Sequence, residues 1–142
     1  MSMFPSHDQV SVLTLNVFQD DLGALVPIDL ASQVPFNVER MFYVYNVPTV
    51  SDIRGKHAHY KTEQLLICLN GSVKVTCKDG KTKKIFYLES PSKALHIPEM
   101  IWDEQEYITK DSVLLVLSST KYNRDDYIEN WDQYLLENSK NN

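Results

Sequence analysis

The sequence predicts an all-β fold, a small antiparallel barrel or sandwich followed by one C-terminal helix. Short apolar or alternating segments recur at roughly 8–12-residue spacing and are separated by Gly, Pro, Asn and Asp. Eight Tyr and five Phe among 142 residues add side chains that favour strands. The last segment alone has helical spacing. We therefore expect one domain, residues 1–142, with the barrel at about 10–122.

The strand segments are recognised by alternation or by short apolar runs between turn residues. They are residues 10–18, 25–30, 38–47, 63–69, 72–78, 84–88, 94–97, 101–107 and 113–118. Turn residues lie at Asp20–Gly23, Asn70-Gly71 and Asp79-Gly80. The segment 48–56 contains Pro, Ser, Asp and Gly and predicts a loop.

The Asn70-Gly71 pair indicates a hairpin, because both residues suit the left-handed positions of a type I′ turn. Pairing the flanking segments across this turn separates Cys68 from Cys77 by about 13 Å. Two cysteines at that distance cannot form a disulfide without backbone movement. We therefore expect both thiols to be reduced and to pack in the core.

The C-terminal segment predicts a helix at about residues 125–138. Its apolar residues fall at i, i+1, i+4, i+7 and i+8, which is one helical face: Tyr127, Ile128, Trp131, Tyr134 and Leu135. Asn123 or Asp125 is expected to cap its first turn. This face is expected to pack on the outside of the sheet or against a partner subunit.

Charge and apolar patterning exclude several classes of protein. The formal net charge of −5 argues against a nucleic-acid polymer as partner, since polymer binding requires a basic surface. A small anionic ligand needs only a few local cations. Apolar runs such as Leu65–Leu69 are too short to cross a membrane. The N-terminus has no basic region followed by an apolar one, so we expect no signal peptide and a cytoplasmic protein.

The segment from Arg54 to Gln64 holds the most chemically useful side chains. His57 and His59 lie one residue apart, and in an extended strand such residues project from the same face. Glu63 shares their parity if the strand stays extended. An apolar run follows directly, so the segment is expected to form an inward-facing wall of the sheet.

Three interpretations of this cluster remain open from the residues alone. In the first, His57, His59 and Glu63 bind one metal ion, completed by a fourth donor. The candidates for that donor are His96, His7 and Asp103. In the second, the histidines form a polar, solvated face of a strand.

The third interpretation is acid–base chemistry without a metal. A neutral imidazole accepts a proton near pH 7, and a second imidazole or a phenol relays protons between neighbouring atoms. Tyr43, in the middle of a predicted strand, supplies a candidate phenol. Arg54, Lys56 and Lys61 supply positive charge near the histidine pair, which suits a phosphate group of a ligand.

Several stretches resemble the cupin-type sugar 3,4-ketoisomerases of the WxcM-like group, which act on dTDP-4-keto-6-deoxyglucose. The most specific are RGKHAH at 54–59, EQLLICLNGS at 63–72 and YNRDDYI at 122–128. The stretches FQDDLGAL at 18–25, PFNVERMFY at 35–43 and LHIPEMIW at 95–102 extend the resemblance over about 115 residues. The resemblance implies a cupin jelly roll, a homodimer, and isomerisation without metal or organic cofactor. The implied partner is a dTDP-linked 4-keto-6-deoxy sugar, whose 3-keto product would feed an aminotransferase.

The resemblance also implies roles for individual residues. His57, His59 and Tyr43 match the catalytic positions, and Arg54 matches a nucleotide-sugar contact. The remaining candidate substrate-binding residues are Lys61 toward the diphosphate, Glu63 orienting a histidine, and Trp102 lining the sugar pocket. The chain departs from the pattern after Trp102, where it carries Asp103 and relatives often carry His.

Overall fold

The computed structural model describes residues 9–48 and 52–140, and most of these form short antiparallel strands. The strands are β1 Ser11–Thr14, β2 Phe18–Asp20, β3 Gly23–Leu25, β4 Arg40–Val44, β5 Ile53–His59, β6 Gln64–Asn70, β7 Val73–Lys78, β8 Lys83–Leu88, β9 Lys93–Ile97, β10 Trp102–Tyr107, β11 Val113–Ser118 and β12 Tyr127–Ile128. The helices are α1 Leu30–Gln33, α2 Trp131–Lys140 and a short 3-10 helix at Arg124–Asp126.

The strands form two five-stranded sheets and one separate hairpin. The first sheet has the order β1-β9-β6-β11-β4 and the second the order β12-β5-β10-β7-β8, while β2 pairs with β3. Every pairing is antiparallel, and the chain crosses repeatedly between the sheets. This is a jelly-roll arrangement. The predicted all-β antiparallel class with a C-terminal helix is confirmed.

The apolar side chains pack in three layers. The inner core lies between the two sheets and includes Leu66, Leu95, Leu114, Val73 and Val75. A second cluster covers the outer face of the first sheet, where residues 26–38 pack over the strands. The third lies on the outer face of the second sheet, beneath α2. Full burial of one such side chain contributes about 1.5–3 kcal/mol.

The predicted Asn70-Gly71 hairpin is wrong in its pairing. The strand β6 pairs with β9 and β11, whereas β7 pairs with β8 and β10. The turn therefore carries the chain from one sheet to the other. Gly71 has φ +81°, and a Cβ there would collide with the hydroxyls of Thr109 and Ser112. A turn dipeptide fixes a reversal of the chain, but it does not decide which strands pair.

The distance predicted between Cys68 and Cys77 rested on that hairpin register, which does not form. Both cysteines are nevertheless free thiols buried in the inner core. Their burial raises the pKa of each thiol.

Several element boundaries differ from the predictions. The first predicted strand divides into β1 and β2, and the predicted strand 25–30 ends at Leu25 and gives way to α1. Part of the predicted loop 48–56 belongs to β5, which begins at Ile53, while residues 49–51 lie outside the described part of the chain.

The C-terminal helix begins later than predicted. Tyr127 and Ile128 pair with His59 and Ala58 as strand β12, so they are not on the helix. Asn130, rather than Asn123 or Asp125, caps α2, since its Oδ1 accepts a hydrogen bond from the Gln133 amide at 2.9 Å. Across the described residues, α2 included, no helix is long and apolar enough to cross a membrane.

Candidate active site

A β-bulge in β5 sets the direction of the site residues. Arg54 pairs with Gln105 and His57 pairs with Asp103, so Lys56 is an extra residue between two regular stretches. Gly55 and Lys56 both have positive φ, at +80° and +54°. Because directly opposed residues share a face, the bulge places Arg54 on the same face as His57 despite its opposite parity.

His57 and His59 lie side by side on the inner face of the second sheet. Their ring centroids are 4.9 Å apart and the rings meet edge to face. His59 is buried, and the His57 side chain is 17% exposed. The spacing of the pair in the sequence therefore places two adjacent imidazoles on one face of β5.

Asp126 holds His59 from the C-terminal segment. Its Oδ2 lies 3.2 Å from Nδ1 of His59 and also accepts hydrogen bonds from the hydroxyl and the amide of Thr62. Its Oδ1 accepts from the Lys61 amide at 2.8 Å. A carboxylate oxygen accepts hydrogen bonds, so Asp126 orients the ring with the proton of His59 on Nδ1.

The environment of His59 keeps its ring neutral. Burial, followed by the nearby His57, lowers the pKa of His59 to about 4, although Asp126 acts in the opposite direction. Nε2 of His59 is buried without a hydrogen-bond partner among the described residues. Near pH 7 this nitrogen is an available proton acceptor.

Asp103 lies behind His57. Its Oδ1 is 3.6 Å from Nε2 of His57, and its Oδ2 accepts a hydrogen bond from the Gln105 side chain at 3.0 Å. Asp103 is only 1% exposed, and burial raises its pKa, opposed by His57 and by the hydrogen bond from Gln105. Each histidine of the pair therefore has its own carboxylate.

Tyr127 covers the two imidazoles. Its ring centroid lies 5.3 Å from that of His57 and 4.4 Å from that of His59. A narrow polar pocket opens beside His59 and Tyr127. It is also lined by Arg40, Thr62, Gln64, Ser118, Thr120, Lys121, Tyr122 and Asn123. The site thus combines two imidazoles, two phenols and two cationic side chains.

The structure places Tyr43, the predicted catalytic tyrosine, away from the histidine pair. Tyr43 is 63% exposed, and its ring contacts that of Tyr45. Its neighbours Phe42 and Val44 are the residues that pack against the inner core. Strand alternation therefore places Tyr43 on the outer face of β4.

Glu63 and Trp102 also lie elsewhere. The strand β5 ends at His59, so the parity argument does not extend to Glu63, whose carboxylate contacts His96 at 2.8 Å. Trp102 is buried beneath α2, where it packs against Trp131 and Tyr134. Neither side chain reaches the histidine pair.

The two predicted cations occupy different positions. Arg54 is exposed. It nevertheless lies near Tyr107 of the inner face, because its positive charge lowers the pKa of Tyr107, which burial raises. The backbone amide of Lys61 donates a hydrogen bond to Asp126, and Lys61 is exposed. Arg54 therefore borders the barrel interior, and Lys61 borders the loop that holds Asp126.

Sequence reasoning missed the roles of Arg40, Asp126 and Tyr127. The stretch YNRDDYI contains the last two, but the predicted helix hid the pairing of Tyr127 with β5 and the contact of Asp126 with His59. Arg40 shares parity with Phe42 and Val44, which is the signal that could have placed it inside.

The donor set proposed for a metal ion is not assembled. Glu63 lies with His96, and Asp103 lies with His57. In residues 9–48 and 52–140, no group of three or more His, Cys, Asp or Glu side chains is arranged to share an ion. His7, a candidate fourth donor, lies outside the described residues.

Comparisons with known proteins agree on one group. The family model described as "FdtA: WxcM-like, C-terminal" matches residues 8–139. The chain is 35% identical over 123 residues to a TDP-4-oxo-6-deoxy-alpha-D-glucose-3,4-oxoisomerase of Aneurinibacillus thermoaerophilus, covering 87% of this chain and 88% of that protein.

Solved structures give the same result. The sugar 3,4-ketoisomerase QdtA of Thermoanaerobacterium thermosaccharolyticum, in complex with TDP, is 40% identical with a TM-score of 0.89, over 92% of this chain and 95% of that one. A mutant of that enzyme, in complex with TDP-4-keto-6-deoxyglucose, is 39% identical with a TM-score of 0.89, over 92% and 94%. A 3,4-ketoisomerase from Helicobacter canadensis is 31% identical with a TM-score of 0.88, over 92% and 97%.

Proposed function

The chain belongs to the FdtA family of WxcM-like C-terminal proteins, and from that premise we infer that it is a nucleotide-sugar 3,4-ketoisomerase. Its substrate is dTDP-4-keto-6-deoxyglucose, and its product is the corresponding 3-keto sugar. One observation carries the inference within this chain. Two imidazoles stand 4.9 Å apart on the inner face of the sheet, each with a carboxylate behind it.

The reaction needs only proton transfers. The ketone at C4 acidifies the hydrogen on C3, and a base removes that hydrogen as a proton to give an enediol. A proton then adds to C4, while the proton on O3 is lost and the oxygen at C4 becomes a hydroxyl. The oxidation of C3 is balanced by the reduction of C4 within one molecule, so no external oxidant or reductant takes part.

The histidine pair suits these steps. One imidazole takes the proton from C3, and the other positions or shuttles the oxygen proton. His59 is neutral at pH 7 and keeps its buried Nε2 as an acceptor. Tyr127 supplies the phenol beside the pair that the sequence had assigned to Tyr43. A phenol there stabilises the enediolate by hydrogen bonding.

The cations around the pocket suit the diphosphate of a nucleotide sugar. Arg40 and Lys121 line the pocket beside His59, and Arg54 borders the barrel interior. The guanidinium of Arg40 is packed over the rings of Phe42 and Tyr122 at 4.7 and 5.2 Å. This packing limits the rotamers of Arg40 and pre-organises its charge.

We further propose that the chain acts in the cytoplasm as a homodimer and supplies a 3-keto sugar to an aminotransferase. Large apolar side chains on the β2–β3 hairpin support the dimer, since Phe18, Leu22 and Leu25 are 61%, 96% and 64% exposed. Light scattering is expected to give the mass of two chains. A single-chain mass at micromolar concentration would contradict this part of the proposal.

The test of the activity is incubation with dTDP-4-keto-6-deoxyglucose in deuterated water, followed by NMR of the sugar. We expect a 3-keto product with solvent deuterium at C4, and the configuration at C4 will distinguish a gluco from a galacto product. A parallel reaction with a chelator separates the metal-dependent alternative.

The outcomes are distinct. Loss of activity with chelator would indicate that the enzyme depends on a metal ion. An unchanged sugar with retained nucleotide binding would indicate a binding module instead of an enzyme.

A further inference from the structure

Three polar side chains line the inner face of β10, where the surrounding core is apolar. Asp103, Gln105 and Tyr107 occupy alternate positions and are 1%, 7% and 1% exposed. The Tyr107 hydroxyl donates to Oε1 of Gln105 at 3.0 Å, and Nε2 of Gln105 donates to Oδ2 of Asp103 at 3.0 Å. Apolar residues would fill these positions at lower desolvation cost. Packing alone therefore does not explain why three hydrogen-bonded polar side chains occupy them.

The chain of hydrogen bonds has one direction. Burial raises the pKa of Tyr107, so its hydroxyl stays protonated and donates. The amide oxygen of Gln105 is occupied by that donor, which turns its NH₂ group toward Asp103. Asp103 is thus held as an acceptor through Oδ2, and Oδ1 is left to face His57.

The neighbours of Asp103 direct it toward His57. Cys77 faces it from β7, and burial raises the pKa of that thiol, which therefore stays neutral. Gly55 on β5 also lies close to Asp103, since a Cβ on Gly55 would lie 3.3 Å from Oδ2 and 3.1 Å from the carbonyl oxygen of Asp103. The absent side chain lets β5 approach, and the bulge then turns His57 so that Nε2 lies 3.6 Å from Oδ1. Such contacts shorten when substrate closes a site.

We propose that Asp103 is a positioning residue that fixes the tautomer of His57, a role that rests on the ketoisomerase function inferred above. A carboxylate only accepts hydrogen bonds, so the imidazole facing it carries its proton on Nε2 and keeps its lone pair on Nδ1. His59 has the opposite arrangement, with Nδ1 toward Asp126 and Nε2 unpartnered within the described chain. The two imidazoles therefore offer different nitrogens to the sugar.

The direct test is the tautomer of His57 in the intact protein. Protein labelled with ¹⁵N-histidine is studied at about pH 8 by long-range ¹H–¹⁵N correlation, and the His57 signals are assigned by their loss in H57N. The wild type is expected to show the Nε2–H form. In D103N the amide NH₂ can face Nε2 while its oxygen accepts from Gln105, so the Nδ1–H form is expected to increase.

Kinetics give the second readout. We expect D103N to lower kcat by about 10²-fold or more, with KM for the nucleotide sugar within about threefold. The matched control is E104Q, which makes the same change one residue along β10. Glu104 contacts Lys78 and Trp102 on the other face, so E104Q is expected to keep the wild-type tautomer and kcat.

Each result bears on the proposal. A wild-type His57 protonated on Nδ1 would overturn it, as would a folded D103N with unchanged tautomer and kcat. If D103N does not fold, the wild-type tautomer still decides. The tautomer is measured without substrate, so a failure of ketoisomerase activity would be recognised separately.

Discussion

The two carboxylates behind the histidines are held in different ways. Asp126 accepts hydrogen bonds from the backbone amides of Lys61 and Thr62, so a loop conformation fixes it. Asp103 is fixed by the side chain of Gln105, on its own strand. We call each histidine with its carboxylate a dyad. The His59–Asp126 dyad thus depends on the path of the backbone, and the His57–Asp103 dyad depends on hydrogen-bonded side chains inside the core.

This difference separates folding from chemistry. Removing Asp126 leaves two amides and a hydroxyl without their acceptor and disturbs the junction between β5 and β12. An isosteric change at Asp103 leaves the backbone intact and alters mainly the ring of His57. Variants of the two dyads should therefore differ in stability more than in activity.

The largest expected effect is on turnover when either ring is lost. H57N and H59N are each expected to lower kcat by about 10²–10⁴-fold, because each removes a proton-transfer group. The measurement is the initial rate with dTDP-4-keto-6-deoxyglucose, monitored by NMR. H96N is the control, since His96 contacts Glu63 away from the pair. Equal losses in H96N would mean that the effect is not local.

Replacing Asp126 tests the structural side of the comparison. D126A is expected to lower the free energy of unfolding by about 3–4 kcal/mol, because it leaves buried donors unsatisfied. D126N keeps an acceptor and is expected to lose less. Urea unfolding measures both values. A D126A protein as stable as D103N would contradict the distinction between the two dyads.

The depressed pKa of His59 predicts a loss of stability in acid. The ring binds its proton at about pH 4 in the folded chain and near 6.5 when unfolded, so the unfolded state holds more protons between these values. The stabilisation is present above pH 6.5 and is lost as the pH falls toward 4, by up to about 3 kcal/mol. Urea unfolding across this range measures it. H59N is expected to have a shallower dependence, and an identical slope would contradict the assignment.

The smallest predicted effect compares two tyrosines. Y127F removes the hydroxyl beside the histidine pair and is expected to lower kcat by about tenfold. Y43F alters an exposed hydroxyl on the outer face of β4 and is expected to leave kcat unchanged. Steady-state rates of the two variants decide between them. A larger loss in Y43F would place that residue at the reaction, against its position on the outer face.

The sequence was sufficient for the fold class and for the adjacency of His57 and His59. Alternation alone does not say which face of a strand is inside, so the predicted strand did not show that Phe42 packs inward and Tyr43 lies on the outer face. Odd or even position also stops predicting the face of a strand beyond a bulge. The bulge at Lys56 puts Arg54 on the same face as His57, although one residue number is even and the other is odd.

Long-range pairing was the other limit. The pattern around Asp126 and Tyr127 is locally typical of a helix, but pairing with β5 outweighs that preference. The Asn70-Gly71 turn likewise reverses the chain without pairing its flanking strands. In both cases the information lies in distant residues that a local pattern does not contain.

The central claim is that the histidine pair moves the C3 hydrogen as a proton. The most direct measurement follows substrate deuterated at C3 in ordinary water, with the wild type and with the H57N/H59N double variant, after TDP binding by both has been verified by calorimetry. We expect the wild type to release deuterium to water during conversion and the double variant to release none above background. Quantitative transfer of the deuterium to C4 by the wild type, or release by the double variant at the wild-type rate, would contradict the claim.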